Sequence, residues 1–129
     1  MNEKVAVLAG GPSCEREISL ISGRAVFDAL TVRGYETLFV DPDEDLIVRL
    51  KAWGPAVAFL ALHGRYGEDG TVQGLLEVMG IPYTGSGPKG SAVAMDKDLT
   101  KRIVRENGIP TPDWLKLAAG EPVPELPWL

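Results

Sequence analysis

The sequence predicts an open, mainly parallel α/β sheet with helices on both faces. Two uninterrupted apolar runs, at 5–9 and 56–62, have the length and uniformity of strands covered on both sides. Between them, Ile18, Ile21, Ala25 and Ala29 recur at helical spacing. Glycine and proline then punctuate a continuing alternation of strand-like and helix-like segments, the pattern of a doubly wound sheet.

Each element follows in order. The run at 5–9 ends in Gly10-Gly11, and the helix after it opens with Glu15, Arg16 and Glu17 and stops at Gly34. A second strand at 35–40 is only moderately apolar because of Glu36, which assigns it to an edge. Asp41-Pro42 turns the chain into a short amphipathic helix around Leu46, Ile47 and Leu50. After the 56–62 strand, a glycine-rich stretch leads to a helix at 71–79, a short strand at 81–84 and one long helical stretch over 88–107. Eight of the 15 glycines fall between His63 and Gly90, where they permit positive φ and close backbone approach. From Ile109 the texture changes. Five of the 10 prolines lie in the last 20 residues, with Trp114 and Trp128 nearby, so 1–108 reads as the domain and 109–129 as a linker into another domain. Residues 113–117 suit that next domain's first strand.

At 129 residues the chain is one domain with a tail, long enough to bury a core and too short for a two-domain enzyme. Hydrophobic residues make up 45% and charged residues 24%, which excludes disorder and collagen-like classes. The net charge of −5, from 13 basic and 18 acidic residues with no basic run, argues against nucleic acid or an anionic membrane as the main partner. Cys14 is the single cysteine, so no internal disulfide forms, and no apolar stretch is long enough to cross a bilayer. The opening MNEKVAVLAGG lacks the basic region of a signal peptide, so a reducing, cytoplasmic location is expected.

Ligands of open parallel sheets lie beyond the carboxyl ends of the strands, where strand order reverses. If the second strand lies to one side of the first and the third to the other, that reversal brings the Gly10-Gly11 loop and the His63 loop together. The first loop, GGPSCERE, partly resembles the dinucleotide fingerprint, with Asp41 where a ribose-binding acid belongs. The match fails at the second and third glycines, and Glu15 and Glu17 at a helix start repel phosphate. A negative pocket suits a cation, which makes Glu15 a candidate for gripping a small amino acid's ammonium. The plainer alternative is that Ser13 caps the helix and the acids complement its dipole. In the second loop, His63 offers the residue type suited to proton exchange near neutrality, or is a half-buried residue of a tight turn with Asp69 or Thr71 as helix cap. Lys97 is a candidate phosphate clamp, or part of a solvated face with Asp96, Asp98 and Lys101. Cys14 has no base beside it and is read as a small loop residue.

Taken together, GGPSCEREISLISG, ALHGRYGEDGTVQGLLEVMGIPYTGSG and AMDKDLTKRIV resemble the D-alanine:D-alanine ligases, in order and at fitting spacings, from Val5 to about Pro112. These belong to the ATP-grasp ligases, and the resemblance covers their N-terminal, Rossmann-like pre-ATP-grasp domain and the linker into the central one. It implies ATP- and Mg²⁺-dependent joining of two D-alanines through an acyl phosphate, giving a dipeptide for peptidoglycan and cell-wall biogenesis. Glu15 then matches a catalytic glutamate holding the first D-alanine's ammonium. His63 matches a histidine lining that subsite, Lys97 a lysine reaching the nucleotide phosphates, and the 83–87 loop a shaping loop. No Mg²⁺ carboxylate cluster is present, so ATP and Mg²⁺ are expected to be held mainly by domains beyond this chain, which alone is expected to be inactive. D-alanine and ATP are the expected partners, together with a second copy of the chain. The other classes weighed are a nucleotide-binding oxidoreductase domain and a non-catalytic dimerisation domain.

Overall fold

In the computed structural model, which describes residues 3–125, the most uniformly apolar run of the sequence becomes the central strand. β1 (Lys4–Leu8) lies between β2 (Glu36–Val40) and β3 (Val57–Leu60), parallel to both, in the order β2-β1-β3. Val5 stands opposite Thr37 on one side and Val57 on the other. The order is the one on which the expected meeting of the two loops depends, and β2, with Glu36 exposed, is the expected edge.

Alternation along the strands sorts the two faces. Ala6, Leu8, Val40 and Ala58 join Leu46 and Leu50 of α2 (Leu46–Trp53) and Val72 and Leu76 of α3 (Thr71–Met79) in one core. Each fully buried leucine or valine there contributes roughly 1.5–3 kcal/mol by leaving water. On the other face Ala9 meets Gly23 of α1 (Arg16–Val32), where an added methyl group would collide with the Ala9 Cβ. α1 therefore approaches the sheet through small residues, with Ser19 and Gly23 buried. As a result the expected apolar stripe turns outward: Ile18 is 58% and Ile21 67% exposed, Ala25 and Ala29 are exposed as well, and Val32 extends the same outward face.

Three further expectations are corrected. The 81–84 strand is a single parallel bridge between Ala58 and Tyr83. The 88–107 helix is two helices, α4 (Pro88–Met95) and α5 (Lys97–Glu106). Asp96 breaks it with an extended backbone (ψ 98°), and its carboxylate accepts the Leu99 N–H at 3.0 Å. Capping the free N–H groups of a new helix outweighs continuing the old one. Finally, 113–117 forms no strand; Trp128 lies outside the described residues.

The segment beyond α5 is instead strapped to it. Lys101 donates to the Pro112 carbonyl (2.9 Å), Arg105 to Asp113 (2.7 Å), and both cations lie over the Trp114 ring. Asp98, expected on a solvated face, is the hub: its carboxylate accepts Trp114 Nε1–H at 2.9 Å and Lys116 Nζ at 3.1 Å, and pairs with Arg102. The Trp114 hydrogen bond foremost, then Lys116 and Arg102, hold its carboxyl down at about 2 against partial burial. A depressed folded-state value means that the stabilisation is present above the ordinary 3.8 and is lost as pH falls towards 2. The Trp114 indole N–H resonance should therefore hold its position at neutral pH and move between those values as the strap loosens; an unchanged resonance at pH 2 would refute this.

Candidate functional site

Gly10 and Gly11, with φ of 98° and 74°, turn the chain sharply off β1. Three contacts fix the turn. The Gly10 N–H donates to Ser19 Oγ (2.8 Å), and the same hydroxyl donates to the Ala61 carbonyl beyond β3 (2.7 Å), so one buried side chain ties the two strand exits together. The Gly11 N–H donates to Asp41 (2.8 Å), which also pairs with Arg16. The Arg16 guanidinium foremost, then the Gly11 N–H, hold the Asp41 carboxyl below the usual range despite its partial burial. Asp41 is thereby consumed within the fold. A methyl group on Gly10 would strike its carboxylate, so the close backbone approach of a dinucleotide site is blocked, and the oxidoreductase reading falls.

Glu15 is the residue at which α1 begins, at the expected helix start. Its N–H donates to Ser13 Oγ (2.9 Å), and the Arg16 N–H donates to the Ser13 carbonyl, so Ser13 braces the entry without being the cap itself. The Glu15 side chain makes no cap bond and leans across to the second loop. A methyl group on Gly64 would lie 2.9 Å from Glu15 Oε2 and 3.0 Å from Ser13 Oγ. The two loops therefore meet as the topology requires, with Glu15 beside His63-Gly64.

The second loop is tightly wound. Glu68 N–H donates to the Gly64 carbonyl (2.9 Å), Gly64 N–H to Glu68 Oε2 (2.8 Å), and Asp69 accepts the N–H groups of Tyr66 (2.9 Å) and Thr71 (3.0 Å). Burial opposes ionisation of Asp69, yet these donors bring it below the usual range. The α3 cap position is Gly70, with Asp69 supplying the side-chain acceptor just before it. Gly70 has φ 91° and lies so close to Pro88 that a methyl group would fall 2.5 Å from its carbonyl oxygen, which packs α3 against α4. Tyr66 sits at φ 69°, a left-handed conformation costing a bulky side chain on the order of 1–3 kcal/mol and held by these bonds.

The His63 side chain is 34% exposed, its Nδ1 3.8 Å from Glu68 Oε1. It lines a cavity of about 330 Å³ with Leu60, Gln73, Thr84, Ser86 and Ser91, so the 83–87 loop does wall this side of the site. The sequence pattern alone points to no role for Glu68, Gln73 or Ser19. Ser19 was legible only as the residue four positions after Glu15, on the opposite face from the apolar stripe. Lys97 is not gathered here: its Nζ donates to the Ala94 carbonyl (3.3 Å), and it lines a separate cavity with Asp98, Lys101 and Trp114. Among the described residues, no group of three or more His, Cys, Asp or Glu could hold a metal ion. One exposed lysine suits a single phosphate contact but forms no nucleotide cradle. Cys14 is free and exposed. No described helix is long and apolar enough to cross a membrane.

Arrangement and sequence have relatives. Residues 43–86 match the family model described as D-ala D-ala ligase N-terminus. The chain is 60% identical over 111 residues to the D-alanine–D-alanine ligase of Paracidovorax citrulli, covering 86% of this chain and 33% of that protein. It is 59% identical to that of Aquifex aeolicus, covering 86% and 38%. Among solved structures, the Bacillus anthracis D-alanine–D-alanine ligase complexed with ATP superposes with a TM-score of 0.81 at 42% identity, over 95% of this chain and 42% of that one. The Coxiella burnetii ligase does so with a TM-score of 0.74 at 30% identity, over 94% and 46%. The chain spans roughly a third to two fifths of the length of the curated relatives it matches.

Proposed function

This chain belongs, by its N-terminal match, to the D-alanine–D-alanine ligase family, and from that premise we propose that it supplies the amino-acid side of an ATP-dependent ligase joining two D-alanines. Glu15 carries the reading: an anion at the mouth of the two strand exits, whose carboxylate enters neither the Arg16 ion pair that occupies Asp41 nor the His63 and Gly64 contacts that occupy Glu68. Within the proposal Glu15 holds the first D-alanine's ammonium and His63 lines the same subsite. Lys97 contacts a nucleotide phosphate from its own cavity, and residues 109–129 lead into a central domain. ATP supplies the phosphoryl group that activates a carboxylate, with Mg²⁺ held outside this chain. The contribution of this chain is to bind and orient the amino acid, the positioning that converts a bimolecular step into a local one.

The test joins this chain to the remainder of the Aquifex aeolicus ligase in place of the 38% of that protein it matches. Phosphate release that depends on D-alanine, with dipeptide formed, is the expected result. A folded chimera that hydrolyses ATP without responding to D-alanine would refute the reading.

The homodimer implied by the resemblance has a surface suited to it in the outward stripe of Ile18, Ile21 and Val32 on α1. Sedimentation of this chain should show a dimer, with Ile21→Glu shifting it towards monomer. A monomeric parent chain at high concentration would count against this surface.

A further inference from the structure

His63 is the only histidine of the sequence, and its two nitrogens meet different surroundings. Nδ1 faces Glu68 Oε1 at 3.8 Å, and the other oxygen of that carboxylate is pinned by the Gly64 N–H at 2.8 Å, so Glu68 is held in place beside the ring. Nε2 is buried and has no hydrogen-bond partner among the described residues. A proton on Nε2 would leave a buried N–H unpaired, whereas a proton on Nδ1 has the Glu68 carboxylate as its neighbour at 3.8 Å, a charge contact rather than a direct hydrogen bond; both effects favour Nδ1. The neighbouring wall has the same character. Gln73 is 5% exposed, and its Nε2 donates at 2.6 Å to the Gly67 carbonyl, a group that can only accept. Its amide is thereby fixed with Oε1 as the free end, likewise buried and unpartnered, on a residue lining the same cavity as His63.

We infer that Glu68 is a positioning residue that holds the neutral His63 ring with its proton on Nδ1, so that the two buried acceptors behind the cavity surface, His63 Nε2 and Gln73 Oε1, are left for a ligand whose N–H donors, such as those of a primary ammonium, reach them when that surface opens on binding. The identity of that ligand rests on the amino-acid reading above; the state of the ring does not. Free neutral histidine prefers its proton on Nε2, so the protein has to reverse the intrinsic preference.

The experiment is long-range proton–nitrogen correlation on this chain with ¹⁵N-labelled histidine at alkaline pH, where a single imidazole contributes. The expected spectrum places the proton on Nδ1 with about a tenfold excess or more. In Glu68→Gln the Gly64 N–H claims the amide oxygen, the NH₂ group turns to Nδ1, and the proton moves to Nε2, inverting the ratio while the backbone fold is kept. A wild-type ring protonated on Nε2, or a folded Glu68→Gln chain with an unchanged ratio, overturns the inference. If the variant does not fold, the wild-type ratio alone decides. No ligand takes part, so a failure of the D-alanine reading would leave this measurement untouched.

Discussion

Glu15→Gln, made in the chimeric ligase, lowers kcat/KM for D-alanine by roughly 30- to 1,000-fold, which corresponds to about 2–4 kcal/mol. The substitution keeps the shape and one acceptor oxygen while removing the charge, so the loss measures the charge-assisted contact to the ammonium. The magnitude depends on desolvation. Glu15 is exposed in this chain, and an ion pair open to water contributes at most about 1 kcal/mol, so the chain alone should show little difference in D-alanine binding. A large effect in the joined enzyme with a small one in the isolated chain is therefore the expected pair of results. Near-normal turnover of the variant enzyme would remove Glu15 from the site.

Ser19→Ala destabilises the fold by about 2–4 kcal/mol, read as a lowered denaturation midpoint at unchanged slope. One hydroxyl serves the Gly10 N–H and the Ala61 carbonyl, and neither group finds water, since Ser19 is fully buried. Losing it leaves a donor and an acceptor unpaired at the two strand exits that carry Glu15 and His63. The Gly10 amide should consequently exchange with solvent faster in the variant. A change below about 0.5 kcal/mol, the level of an ordinary surface substitution, would show that the exits are held by other contacts.

Much of this was legible in the sequence where a physical rule acts locally. Uninterrupted apolar runs gave β1 and β3, because strands covered on both faces have no polar side to show. The meeting of the Gly10-Gly11 and His63 loops followed from strand order and crossover handedness. What escaped notice depended on partners distant in sequence. The facing of α1 differs from the expected one because its fully buried residues are Ser19 and Gly23, which carry little hydrophobic signal, with Phe27 half-buried against Phe39, while Ile18 and Ile21 carry a strong signal in the wrong direction. The break at Asp96 was hidden because its cap is one side chain's choice between two hydrogen-bond schemes. Asp98 looked like half of a charge alternation until Trp114 and Lys116, sixteen and eighteen residues later, returned to it. Lys97, a candidate phosphate clamp by its residue type and then by resemblance, lines a different cavity from His63.

The staple that binds 112–116 to α5 changes what the proline-rich stretch is mechanically. Left free, the nine residues from Ile109 to Leu117 would wander over about 15–18 Å. Fastened through Pro112, Asp113, Trp114 and Lys116, they act as an extension of the helix and give the outgoing polypeptide a heading. Any pivot between this domain and a following one would then lie past Leu117, so that α5 and its wrapped tail turn as a single lever arm.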